Sequence, residues 1–183
     1  MLELHIPAAE YFNDATEEFI NVPEATLRLE HSLVSLSKWE ARWKVPFLTT
    51  FGKRNGYTRE QLIDYVKCMT INQNVPEEVY IGLGSREFEK VNAYINDEKT
   101  ATSFFESNAR PNRQVVTSEL IYYWMTAYQI PWEAQKWHLS RLLTLIRICS
   151  IKNSKDQKMS PAAIKAKNKA LNAKRRKALG SKG

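Results

Sequence analysis

Residues 117–153, TSELIYYWMTAYQIPWEAQKWHLSRLLTLIRICSIKN, constrain the fold more than any other stretch. They hold three of the five tryptophans and the longest sustained helical pattern. Thr117 or Ser118 supplies an N-cap, Glu119 complements the helix dipole, and residues 120–129 form the helix. Its polar residues Ser118, Glu119, Thr126 and Gln129 fall in one arc at roughly 100° per residue. Ile130 and Pro131 break it, and Pro131 suits the first position of a second helix over residues 132–149. There Glu133, Lys136, Ser140, Thr144 and Arg147 make one narrow polar strip, leaving an apolar arc of roughly 240°. A surface helix needs only about 100° of apolar face. The second helix therefore reads as the core helix of the domain, or as one that faces a partner as well as the core.

The remaining chain supplies layers for that hairpin to bury. Residues 2–6, 18–22 and 25–30 carry strand patterns, the first and third alternating, and predict a small antiparallel sheet or hairpin. Two strands alone are marginal in water, so the sheet must lie on helices. His31 and Ser32 open a helix with Leu33, Leu36, Trp39 and Trp43 on one face and Lys38 and Arg42 pointing away, and Pro46 ends it. Residues 49–57, with Gly52 and Gly56, read as an exposed loop. Thr58 to Gln61 has capping-box form ahead of a helix through Leu62, Val66 and Met69, which stops near Asn72. Pro76 starts a short helical turn, and Ser85 caps a helix with Phe88, Val91 and Ile95 on one face. Residues 101–105 read as an edge strand or a loop, and residues 108–113 as a turn.

Charge divides the chain. Residues 151–183 contain eleven Lys/Arg and one acid, Asp156; the rest holds 16 basic and 19 acidic residues. The body is net −3 and the tail net +10, so the basic character belongs to the tail. Residues 151–159 read as a polar linker. Residues 162–179 are good helix formers with only Ile164 and Leu171 as large apolar side chains before Leu179. At ~25 cal/mol per Å² these cannot offset the ordering entropy, so the tail is expected to be disordered when free and helical when bound. It reads as a solubilising appendage, as a phosphate binder driven by counterion release, or as a contact for a protein partner. It lacks interleaved aromatics, which counts against single-strand recognition.

The expected class is α+β, mainly α: a small N-terminal antiparallel hairpin or sheet packed on a bundle of about five helices, plus a basic C-terminal helix. Residues 1–153 are expected to form one globular domain and residues 154–183 a flexible basic tail. Cys68 and Cys149 are read as buried free thiols in a reducing compartment. No signal peptide or membrane-spanning run is read, so a soluble protein is expected. His5, His31 and His138 and the two cysteines show no metal-ligand spacing. Gly82 to Ser85 lacks the lysine and context of a phosphate loop. With no nucleophile motif either, the chain reads as a non-enzyme without cofactor or metal. Inside the apolar arc of the second helix, His138 reads as a hydrogen-bonded core histidine. Arg141 reads as snorkelling, as paired with a buried acid such as Glu119 or Glu30, or as facing a partner. Trp132 and Trp137 read mainly as core, with interface anchoring as the alternative.

Residues 27–48 (LRLEHSLVSLSKWEARWKVPFL), 64–70 (DYVKCMT), 117–153 and the closing MSPAAIKAKNKALNAKRRKALGSKG resemble the tail assembly chaperones of long-tailed, siphovirus-type bacteriophages. The resemblance implies a protein of the host cytoplasm, absent from the mature virion, that binds the tape measure protein and shields its apolar helical surface while tail subunits polymerise. It further implies contact with the major tail protein, homo-oligomerisation, or association with a longer form made by programmed frameshift. The expected partner-binding residues are Trp132, Trp137, Arg141, Lys165, Lys167, Lys169, Lys174, Arg175 and Arg176. Two other classes stay open: a structural tail or connector protein of the virion, and a nucleic-acid-binding protein using the basic tail.

Overall fold

The computed structural model describes residues 1–13, 17–50, 56–102, 104, 114–153, 165 and 169. It divides into two compact units, Met1–Arg147 and Ile148–Gly183. The class is mainly α with a small antiparallel β part, as the patterning predicts. The described residues form strands β1 (Leu2–Ile6), β2 (Ala9–Asn13), β3 (Glu18–Val22) and β4 (Ala25–Leu29). The helices are α1 (Leu33–Trp43), α2 (Phe47–Thr50), α3 (Arg59–Met69), α4 (Ser85–Ile95), α5 (Ser118–Ala127) and α6 (Leu139–Asn153). Two 3-10 turns cover Glu77–Gly82 and Trp132–Lys136.

The strands number four rather than the three expected. β1 pairs with β4 and β2 with β3, both antiparallel, as two two-stranded sheets. Leu2 opposes Leu29 and Ala9 opposes Val22, so partner numbers sum to 31 in both pairings. The two sheets are thus consecutive parts of one long ribbon in a single register, interrupted where Pro7 and Pro23 remove ladder donors. Along its inner part, Leu4, Ile6, Leu27 and Leu29 are buried, while Glu3, His5, Thr26 and Arg28 face solvent. The alternation of period two accounts for this half.

The open edge of β4 is covered by the chain leaving α3. Glu30 N–H donates to Met69 O (2.9 Å) and Ile71 N–H to Arg28 O (2.8 Å). The Asn72 side chain completes the pairing, accepting from Arg28 N–H (2.6 Å) and donating to Thr26 O (3.1 Å). A side-chain amide here stands in for a further strand residue and blunts an exposed edge.

Local chemistry sets the helix ends. Ser32 and Thr58 each form a reciprocal capping box, with Ser35 and Gln61 respectively. Thr117 caps α5. Helix α1 stops before Pro46, at Lys44, which turns left-handed (φ 56°) while its N–H returns to Glu40 O. Gly84, not Ser85, occupies the N-cap of α4, and its N–H is satisfied by the Glu87 carboxylate at 3.2 Å. Residues 49 and 50, read as loop, close the single turn of α2.

The core of the first unit is aromatic. Phe47 stacks on Tyr65 with ring centroids 4.0 Å apart, and Trp39 meets both Phe47 and Tyr57 edge-on at 5.2 and 4.9 Å. The Trp39 indole N–H donates to Gln61 O (2.9 Å) and that of Trp43 to Asp64 (2.8 Å), which also pairs with Arg42. Arg42 therefore does not simply point away. Glu40 is buried, 6% exposed, and accepts the first N–H of two helices. Its Oε1 takes Phe47 N–H of α2 at 2.8 Å, and its Oε2 takes Ser118 N–H of α5 at 2.7 Å. One carboxylate thus closes two positive helix ends. Ser118, expected on a polar surface arc, is fully buried because its backbone reaches this group.

The expected helix over residues 132–149 is broken. Residues 132–136 form a 3-10 turn, Trp137 is extended (φ −70°, ψ 162°), and α6 begins at Leu139. Backbone pairing is the cause: Ser32 and His138 form an antiparallel bridge, and Leu139 N–H donates to His31 O at 2.7 Å. An extended residue there gains a tertiary hydrogen bond that a continuous helix would forfeit. The wide apolar arc requires one continuous helix axis over residues 132–149 and so does not form. In α6 only Leu139, Leu142 and Ile146 are buried, one ordinary face. The helix continues through Asn153, into residues read as linker. Cys68 and Cys149 are only partly buried, not enclosed. Residues 101, 102 and 104 form no strand.

Gly82 sits where the ribbon changes from buried to exposed. A Cβ there would meet Ile6 Cγ2 at 2.8 Å and Val22 Cγ1 at 3.2 Å, one residue from each side of the interruption. Gly82→Ala is expected to destabilise the fold by about 1–3 kcal/mol through overpacking, read as a lower midpoint in thermal unfolding.

Candidate functional site

Three surfaces of the first unit expose apolar groups. The first is an open groove of about 770 Å³ between α3 and α4. Leu62 and Val66 line it from α3, Leu83 from the turn before α4, and Phe88, Val91 and Ile95 from α4. Val66, Leu83 and Val91 are buried in its floor, whereas Leu62, Phe88 and Ile95 remain half-exposed along its walls. Arg59, Glu89 and Asn92 supply polar groups among the lining residues, and the Arg59 guanidinium donates to Leu83 O at 2.9 Å. The volume and apolar lining match a binding cleft.

The second surface carries the expected partner-binding residues of the body. Trp132 is 53% exposed and Trp137 36% exposed, so neither belongs to the core. Trp132 packs on Tyr122, centroids 5.5 Å apart, and Tyr122 donates its hydroxyl to Gln135 at 3.0 Å. Arg141 is exposed and lies over the Trp137 ring at 4.6 Å, a cation–π contact, and is not paired with Glu119 or Glu30. Glu30 instead accepts from the Tyr94 hydroxyl (2.8 Å) and pairs with the Met1 amino group (3.0 Å). Tyr123 adds a ring that is 65% exposed.

The third surface, which the sequence reading missed, is the outer half of the ribbon. Tyr11, Phe12 and Phe19 are exposed, with Phe12 and Phe19 opposite one another at 5.1 Å. Ala9–Asn13 shows no strand pattern in sequence because Tyr11 and Phe12 are adjacent and apolar, which abolishes alternation. Their β-propensity and the aromatic doublet were the only available signal.

In the second unit, Lys165 and Lys169 are exposed and helical. Lys167, Lys174, Arg175 and Arg176 lie outside the described residues.

Buried titratable groups cluster elsewhere. The His31 and His138 rings meet edge-on at 5.3 Å, with His31 Nδ1 2.6 Å from the Tyr65 hydroxyl. His138 is hydrogen-bonded through both nitrogens, to Ser140 Oγ (2.8 Å) and Tyr94 O (3.1 Å), as expected of a core histidine. Burial, with the neighbouring His138, lowers His31 to about 3, and burial also lowers His138. Burial pushes the Cys68 thiol up to about 11, which disfavours the nucleophilic thiolate. Among the described residues no group of three or more His, Cys, Asp or Glu could hold a metal ion. No described helix is long and apolar enough to cross a membrane. No family model matches the chain, and neither a curated protein nor a solved structure does.

Proposed function

We propose that this chain is a tail assembly chaperone of long-tailed bacteriophages that holds apolar helical segments of the tape measure protein in the host cytoplasm and leaves the finished virion. The groove between α3 and α4 carries this reading. An amphipathic client helix could lay its apolar stripe along Leu62, Phe88 and Ile95, the mode of helix-in-groove recognition. Trp132, exposed on Tyr122, and Trp137, exposed beneath Arg141, offer aromatic anchors of the type enriched at interfaces. Masking apolar surface requires no reaction, and no catalytic step is assigned.

Co-expression with the tape measure protein is expected to yield a co-purifying complex, and mass spectrometry of purified particles is expected to find this chain absent. Stoichiometric presence in particles would instead favour a structural tail or connector role. Phe88→Asp, placing a charge on the groove wall, is expected to reduce co-purification at least about tenfold, since desolvating an unpaired carboxylate costs more than about 1.4 kcal/mol. Circular dichroism and thermal melting of the variant separate lost binding from lost folding.

A further inference from the structure

We propose that the outer ribbon, β2 with β3, receives the lysine- and arginine-rich residues 154–183 of a second copy of this chain. Residues 9–24 contain five acids (Glu10, Asp14, Glu17, Glu18 and Glu24) and no lysine, arginine or histidine. In the described part of this arm, Glu10, Glu17 and Glu18 are exposed alongside Tyr11, Phe12 and Phe19. The register sets Phe12 opposite Phe19 on one face and Tyr11 opposite Ile20 on the other, so apolar groups flank both faces. Among the described residues each strand pairs with only the other, which leaves each an edge without a strand partner there.

Rings interleaved with carboxylates select cations on hydrocarbon stems. A lysine or arginine lies its stem on the ring, gains from the ring quadrupole, and reaches a carboxylate with its head. Nucleic acid is repelled by the same carboxylates. A second arm is repelled too, since it would bring five acids against five. Residues 154–183 supply the complementary chemistry, with ten Lys/Arg against one acid and with Met159, Ile164, Leu171 and Leu179 for the rings.

Equal amounts of unlabelled and heavy-isotope-labelled full-length chain, mixed at low salt, can be treated with a carbodiimide that joins carboxylates to lysine amines. Mass spectrometry is expected to find crosslinks from Glu10 or Glu18 to lysines between 165 and 177, including species that join the two isotopes. Their yield is expected to collapse in about 1 M salt, where screening acts within about 3 Å. The double variant Phe12→Ser, Phe19→Ser is expected to lower it by about tenfold, the equivalent of two cation–π contacts at exposed sites. Both residues are exposed, so the body should still fold, and its melting temperature checks that. Same-isotope crosslinks alone would mean that the segment reaches its own arm, and would overturn the second copy as occupant. Absence of arm crosslinks would overturn the proposal, and yields indifferent to the phenylalanine changes would remove the arm as a receiving surface.

Discussion

Replacing Glu40 with alanine is expected to lower the unfolding free energy by about 3–6 kcal/mol, because two charge-assisted hydrogen bonds of about 1.5–3 kcal/mol each are lost together. The carboxylate is 6% exposed, so water cannot take over for either partner. Phe47 N–H and Ser118 N–H, at the positive ends of two helices, would lose the carboxylate they both donate to. Glu40→Gln separates acceptor from charge: its amide oxygen can serve one helix, while its amino group opposes the other. It should cost about half as much as alanine in urea unfolding. An alanine variant within about 0.5 kcal/mol of the parent would show that the shared cap contributes nothing.

Acid should destabilise the fold well before its carboxylates are titrated. In the unfolded chain, His31 takes up a proton near 6.5; in the folded chain, burial and His138 delay this to about 3. Below 6.5 the unfolded state thus binds more protons, and stability falls as pH falls, by about 1.4 kcal/mol per unit until the folded pKa is reached. Above 6.5 this penalty is absent. At pH 4 His31 alone removes about 3 kcal/mol. His138, lowered chiefly by burial with Lys99 and the Met1 amino group nearby, adds in the same direction; the hydrogen bond between His138 and Tyr94 O, and the Glu30 charge, oppose it. Urea unfolding at a series of pH values tests this. His31→Gln should flatten the limb between pH 6.5 and pH 4 by about 3 kcal/mol relative to the parent. An unchanged limb would assign acid sensitivity to other groups.

Local backbone chemistry was legible where it is carried by neighbours in sequence. The caps at Ser32, Thr58 and Thr117 join side chains to donors within three residues, so spacing alone reveals them. The core face of α1 at Leu33, Leu36 and Trp39 follows helical periodicity in the same way. What sequence could not convey was pairing across distance. Trp137 and His138 look helical until residues 31 and 32 come alongside, and the bridge between Ser32 and His138 then outweighs propensity. Ser118 looks like a surface residue until Glu40, 78 positions away, needs its N–H. The candidate surfaces divide similarly: Phe88, Val91 and Ile95 were recognised as one face, but only the apposition of α3 turns that face into a groove. Sequence favours the core for Trp132 and Trp137, with interface anchoring as the alternative, because aromatic residues are usually buried; the broken helix leaves both exposed.

The ribbon's single register has a consequence for tolerance to insertions and deletions. Its pairing can start at Asn13 and Glu18, which are near neighbours in sequence, and run inward past Pro7 and Pro23 with every later partner already decided. Deleting one residue from β2 would leave the arm free to re-pair, since Tyr11, Phe12, Phe19 and Ile20 put apolar groups on both of its faces. The same deletion would slide β1 one place along β4 and turn Leu4 and Ile6 from the core toward water. Length changes in one strand of the exposed arm are therefore transmitted to the buried half, whereas changes matched residue for residue on both strands should be accepted.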